Sequence, residues 1–298
     1  MLRIVKLLIE TNLFIAFAAV AFMWASIFLL DIYAPSFWIL SVQVFFSTWF
    51  VYQVSRWVYY KKGVYNNKKE WVVQLFDKYP NFTPVTMAIS LIIAIIATLF
   101  LKPLTILVLC ITGFFSVLYP IPFLKPFGIE TRLRDFPFLK IFLIAFVWST
   151  TSVILPFTET GILFNDRRDI LFVWILQLVF IFYITLPFDI NDAESDKLTG
   201  TKTIPSLVGK KKKKIIGLLT GIVHIILLVY VYMIENWRSI THIYLQETTI
   251  IGLILLTILL QGYTFTKADK VDKWNIKVVY DGSMIVYYFI MLFNHFAK

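Results

Sequence analysis

One cysteine, three histidines and a charged fraction of only 15% set the first limits on this sequence. With a single thiol, Cys110, no intrachain disulfide can form. His224, His242 and His295 are scattered along the chain and show no metal-ligand spacing. Ordinary soluble domains are about a quarter charged, so this chain lacks the charge to cover a water-facing surface. Apolar residues fill that place: 59% of the chain is hydrophobic, with 29 Phe, 15 Tyr and 9 Trp. Mean hydropathy is +0.78. This composition predicts an integral membrane protein.

Runs of about 18 or more apolar residues can cross the hydrocarbon core as helices. Nine are predicted: Thr11–Leu30, Phe37–Val54, Val85–Leu101, Leu104–Pro122, Phe138–Leu155, Ile170–Pro187, Ile215–Ile234, Thr249–Phe265 and Val278–Phe293. Only "LKPL" separates the third from the fourth, and Pro103 predicts a tight turn there. The first run follows Arg3 and Lys6 as a secretory signal would. It extends to Leu30, though, too far for a cleaved segment, and predicts a retained span.

Lys and Arg accumulate in cytoplasmic loops. With the N-terminus cytoplasmic, only Lys102, Arg167, Arg168, Arg238 and Lys298 of the 28 basic residues fall on the opposite side. The net charge of +10 then follows from topology, with some attraction to anionic lipid headgroups. It does not call for a nucleic-acid partner. "GKKKKK" at Gly209–Lys214 reads in the same way, as an interfacial anchor.

The sixth run leads into "LPFDINDAESDKLTGTKTIP". Asp189, Asp192 and Asp196 are spaced i, i+3, i+7, which on a helix is one face, whereas Glu194 falls on another. Three carboxylates on one stripe repel each other and are costly to desolvate at a membrane boundary. A cation relieves both problems. Their oxygens suit a hard ion such as Mg²⁺, which commonly shares its ligands with a phosphate. The plainer alternative is a set of solvated acids opening a loop beside Lys197 and Lys202. Pro187 reads as the end of the sixth helix.

The segment "FDINDAESDKLTGTKTIPSLVGKKK" resembles the second Asp-rich motif of the UbiA superfamily of intramembrane prenyltransferases. "SVLYPIPFLK" at Ser116–Lys125 resembles that family's Tyr-Pro segment, and "YDGSM" at Tyr280–Met284 the start of its last helix. The resemblance implies one all-α transmembrane domain over residues 1–298, a bundle of about nine helices around a cavity open to the cytoplasm. It implies Mg²⁺ as cofactor, held by Asp189, Asp192 and Asp196, which also carry the catalytic role. The partners it implies are an isoprenyl diphosphate, a hydrophobic acceptor and membrane lipid. Lys125 and Lys202 become diphosphate contacts, and Tyr119 and Asp281 cavity or acceptor residues. The layout is consistent with a bacterial inner (cytoplasmic) membrane.

The sequence departs from the family at its first Asp-rich motif. The second span ends in "FVYQVSRWVYYKKG". Aligning the two helix ends sets Gln53 against Asp189, Arg56 against Asp192 and Tyr60 against Asp196, so no carboxylate remains. Arg56 can meet a phosphate directly, because a guanidinium matches phosphate oxygens in two-point contact; Gln53 is taken as a second diphosphate contact. A positive residue closing a helix on the cytoplasmic side explains Arg56 equally well. Three other functions stay open: a UbiA-type terpene cyclase, a divergent protein that binds an isoprenoid or lipid phosphate without transferring it, and a transporter. The last is disfavoured because the spans hold few ionisable residues away from their ends.

Overall fold

The computed structural model describes residues 2–61, 71–119, 139–167, 169–198, 204–238, 245–267 and 273–297. Among these the regular elements are all helical. Seven helices are long and apolar enough to cross a membrane: Leu13–Leu30, Phe37–Val58, Leu139–Thr160, Asp169–Phe188, Lys214–Met233, Glu247–Thr266 and Trp274–Phe296. Two shorter apolar helices, Phe82–Thr98 and Pro103–Leu118, stand where the third and fourth spans are predicted. At 1.5 Å per residue each of these covers roughly 25 Å, a little under the ~30 Å hydrocarbon core.

The chain opens with a separate helix, α1 (Leu2–Glu10), that the predicted first span does not include. Thr11 ends it by donating its hydroxyl to the Leu7 carbonyl at 2.8 Å. Asn12 then takes a left-handed backbone, φ 60°, which Asn tolerates better than most residues. The turn redirects the chain into α2 (Leu13–Leu30). Because α2 is apolar on every side it sits inside the bundle. There it packs against α3 (Phe37–Lys61) and α12 (Lys273–Phe296). Phe22 at its middle meets Phe180 and Tyr287 with ring centroids 5.7 Å away in both cases.

After α3 come α4 (Trp71–Lys78), α5 (Phe82–Thr98) and α6 (Pro103–Leu118). Pro103 occupies the first turn of α6, where its missing N–H costs nothing. The next crossing is not uniform. It runs as α7 (Leu139–Ser149), a π-helical segment at Thr150–Ile154, and α8 (Leu155–Thr160). Pro156, in the first turn of α8, cannot donate to the carbonyl one turn before it, and the wider π turn absorbs the defect.

The sixth helix does not end at Pro187. α9 (Asp169–Leu198) is one helix of 30 residues with Pro187 inside it. A proline removes a single backbone bond, and packing of α9 against α7 and α10 (Ile204–Arg238) holds the helix through that gap. The Gly209–Lys214 run likewise belongs to a helix, the start of α10. α11 (Glu247–Lys267) precedes α12, which begins five residues before the predicted Val278.

At the Leu30 end of α2, buried polar contacts bind the loops together. Arg167 donates to both carboxylate oxygens of Asp169 at 2.8–3.1 Å and to the Leu30 carbonyl at 2.7 Å. Glu159 accepts from the Ser36 hydroxyl at 2.5 Å and from the Lys102 amide at 2.8 Å. Around the outside, Ile92, Ile95, Ile96, Leu107, Ile226 and Leu259 are exposed, as expected of faces turned to lipid.

Candidate active-site cavity

A cavity of about 510 Å³ lies between α3, α6, α7 and the π segment, with Asn12 of the α1–α2 turn, Ala19 of α2 and Lys277 of α12 completing its wall. On α3 the lining positions run Gln43, Ser47, Val51, Tyr52, Ser55 and Arg56, which is the face of one helix. Gln43 and Arg56 are thirteen residues apart, or roughly 20 Å along the axis. The cavity is therefore long, and its two ends differ.

One end is cationic. Arg56, Lys140 at the foot of α7 and Lys277 near the start of α12 all line it, together with Tyr119, which caps α6. No Asp or Glu stands among the described lining residues. Positive groups gathered at the edge of a low-dielectric chamber attract and hold anions. The middle combines Tyr52, Trp148, Leu143, Ile144 and Val147 with Ser47, Thr112 and Ser116, whose hydroxyls donate to carbonyls of their own helices. The other end carries Gln43, Thr151 and Ser152.

Arg56 is held in place from α2. Its Nη2 donates to Asn12 Oδ1 at 2.6 Å, and both side chains are buried. Asn12 Nδ2 in turn donates to Gln53 Oε1 at 3.5 Å, while Gln53 Nε2 donates to Thr86 Oγ1 at 3.4 Å on α5. Gln53 does not line the cavity; it is a strut behind Asn12. Tyr60 also leaves the stripe. Its hydroxyl donates to Asp77 Oδ1 at 2.6 Å, and its ring stacks on Phe76, 4.4 Å between centroids. That hydrogen bond holds the Tyr60 phenol above its ordinary pKa, because the neutral form is the donor. Of the three positions aligned with the acidic motif, only Arg56 reaches the cavity.

Among the other expected site residues, α9 carries positions 189, 192 and 196 on one helical stripe beyond the membrane-spanning stretch. Their side chains, and the whole of Lys125 and Lys202, lie outside the described residues. Tyr119 is at the cationic end of the cavity. Asp281 stands about two turns inside α12 rather than at its start. It lines a small adjoining hollow of about 50 Å³ that shares Asn12, Tyr52 and Lys277 with the main cavity.

The chemistry of the donor sets differs between the two helix ends. Stripe 189/192/196 offers three carboxylates at a spacing that suits a hard cation. The α3 end offers an amide, a guanidinium and a phenol, of which the guanidinium repels a cation. Among the described residues no three His, Cys, Asp or Glu side chains gather as a metal set. The α3 end therefore does not suit a cation, and the carboxylates at the α9 end lie outside the described residues.

Sequence reasoning missed Lys140, Lys277, Asn12 and Gln43. Lys140 and Lys277 look like ordinary positive residues flanking spans. Asn12 becomes legible only once the α1–α2 turn is known. Gln43 did carry a signal, as an amide well inside the second predicted span.

Residues 80–280 match the model of the UbiA prenyltransferase family. No curated protein matches the chain by sequence. Solved structures do match in fold. A UbiA homologue from Archaeoglobus fulgidus bound to GPP and Mg²⁺ aligns over 99% of this chain and 98% of its own, with TM-score 0.65 at 14% identity. The apo UbiA homologue of Aeropyrum pernix K1 aligns over 95% and 97%, with TM-score 0.67 at 13% identity. A structure of digeranylgeranylglyceryl phosphate synthase aligns over 97% and 99%, with TM-score 0.62 at 14% identity.

Proposed function

This chain belongs to the UbiA prenyltransferase family, and on that premise we propose that it is a Mg²⁺-dependent intramembrane prenyltransferase. It moves an isoprenyl group from a prenyl diphosphate to an aromatic or lipid-like acceptor. Residues 1–298 form one domain in this reading, set in a bacterial inner membrane with the N-terminus and the cationic end of the cavity facing the cytoplasm. The observation that carries the proposal is the polarity of the cavity: three cations at one end of a chamber roughly 20 Å long, with apolar and aromatic walls behind them. An anionic head and a hydrocarbon tail are the ligand such a shape suits. The Archaeoglobus homologue of the same fold is bound to GPP and Mg²⁺, which is a ligand of that kind.

Ionisation breaks the allylic C–O bond, leaving negative charge on the diphosphate and positive charge on the prenyl carbon. Arg56, Lys140 and Lys277 stabilise the first by hydrogen bonds aimed where charge develops; Lys125 and Lys202 join them in this reading. Asp189, Asp192 and Asp196 hold Mg²⁺, which when bound neutralises leaving-group charge. Asn12 and Gln53 orient Arg56. Tyr52, Trp148 and Tyr119 offer aromatic faces to the prenyl cation, and the apolar walls keep water from capturing it. Asp281 lies behind Lys277 and helps to fix it or the acceptor.

The carboxylate-free end of α3 supports a second reading, a protein that binds the diphosphate without ionising it. A terpene cyclase, in which the donor quenches its own cation, is the related enzyme alternative. The test uses purified protein with labelled farnesyl and geranylgeranyl diphosphate, with and without Mg²⁺, for the native chain and Asp192→Asn. Magnesium-dependent diphosphate release, lost in the variant, is the expected result. Binding with no release under any acceptor mixture sinks transfer in favour of carriage, and release with products formed in the absence of acceptor favours the cyclase.

A further inference from the structure

The end of the cavity opposite the cations is not built for hydrocarbon. Gln43 lines it and is only 5% exposed, and its Oε1 has no hydrogen-bond partner among the described residues. A buried amide in that state is rare in native structures and calls for an explanation. Across from it stand Thr151 and Ser152, in the π-helical segment. Such single-turn π segments recur at functional sites. Polar groups from α3 and from the π segment thus converge on the inner end of a chamber whose middle hydroxyls are bonded within their own helices.

We propose that Gln43 sets the length of donor tail that this cavity accepts, and selects short-chain prenyl diphosphates. The proposal deepens the prenyltransferase reading and rests on it. With the diphosphate at Arg56 and bonds of about 1.5 Å, the eight main-chain carbons of a geranyl tail extend roughly 10 Å. Geranyl ends among Tyr52, Val51 and Trp148, leaving the inner end wet and the Gln43 carboxamide hydrogen-bonded to water. The sixteen main-chain carbons of geranylgeranyl, at the same ~1.5 Å bond length, extend roughly 20 Å and reach Gln43. Their terminal methyls expel that water and bury the amide unpaired, and an unsatisfied buried polar group is penalised heavily. The selectivity is chemical and not steric, so exchanging the amide for an apolar group of similar volume removes it.

The experiment measures dissociation constants of geranyl, farnesyl and geranylgeranyl diphosphate for the purified full chain with Mg²⁺, comparing native protein with Gln43→Leu and Gln43→Met. Both substitutions place an apolar group in an apolar wall, and thermal unfolding in detergent checks that each variant is folded. The expected result is a native preference for geranyl over geranylgeranyl. In both variants the geranylgeranyl-to-geranyl affinity ratio rises by about 5- to 100-fold, with farnesyl between. A ratio unmoved in both variants overturns the proposal and leaves Gln43 to a polar group of the acceptor. A native protein that already favours geranylgeranyl overturns it as well. Failure of the native protein to bind any of the three is a different outcome: it removes the prenyltransferase reading, and this inference with it.

Discussion

Arg56 Nη2 donates to Asn12 Oδ1 at 2.6 Å, and the Asn12 backbone is left-handed at φ 60°. A residue in that sparsely populated region, holding a buried cation at a cavity wall, couples backbone strain to the site. Both Asn12→Gly and Asn12→Ala remove the hydrogen bond, and a bond to a charged group contributes about 1.5–3 kcal/mol. Farnesyl diphosphate affinity is expected to fall about tenfold in each. Only the alanine adds left-handed strain, about 1–2 kcal/mol. Isothermal binding and thermal unfolding separate the two effects: equal loss of affinity, with Tm lowered in both variants and lowered further in Asn12→Ala. Unchanged affinity in both variants rules out Asn12 as the orienting group.

Arg56→Ala should weaken donor binding more than Arg56→Lys, and neither should restore the native value. Lysine keeps the charge and loses the planar fork that meets two phosphate oxygens. A drop of about 10- to 100-fold for alanine, with lysine intermediate, fits charge-assisted contacts of this class. Identical affinity in native protein and Arg56→Ala would return Arg56 to a topological role.

The apolar runs were legible because hydrocarbon imposes one requirement, about 20 apolar residues per crossing, on every span. The spacing of Asp189, Asp192 and Asp196 predicts one stripe if they are helical, and α9 does run through all three positions. Other features needed three dimensions. Pro187 ends a helix in isolation, yet packing against α7 and α10 carries α9 to Leu198. Lys140 and Lys277 became site candidates only when two helices distant in sequence brought them to the same cavity end as Arg56. Gln53 and Tyr60 were aligned with Asp189 and Asp196 as members of one stripe, yet neither lines the cavity. Their neighbours in the α1–α2 turn, on α4 and on α5 took those side chains elsewhere.

Chelating Mg²⁺ should separate binding from ionisation. On the proposed reading, with one acidic stripe and a cationic α3 end, a substantial part of diphosphate attraction comes from side chains that need no metal. Excess EDTA is expected to abolish diphosphate release while farnesyl diphosphate still binds, about tenfold more weakly. That residual binding should fall with added salt, since charge attraction at an open mouth is screened. Complete loss of binding on chelation would mean that Arg56, Lys140 and Lys277 do not contact the donor directly.

Glu159 tests the opposite end of the molecule. Its two oxygens accept from Ser36 and from the Lys102 amide, tying the α2–α3 and α5–α6 connections to α8. Alanine removes both bonds from a partly buried place, at a cost of about 2 kcal/mol for the two. Glutamine can still accept from the Lys102 amide through its remaining oxygen, and its NH₂ can donate to a Ser36 hydroxyl that has turned to accept. Its cost is therefore closer to about 1 kcal/mol. Thermal unfolding in detergent should rank native above Glu159→Gln above Glu159→Ala. Donor affinity in the folded variants should not move, because this contact stands at the far end of α2 from Arg56. If Glu159→Ala unfolds with the native Tm, the loops at that end are held by Arg167 and its partners without help from Glu159.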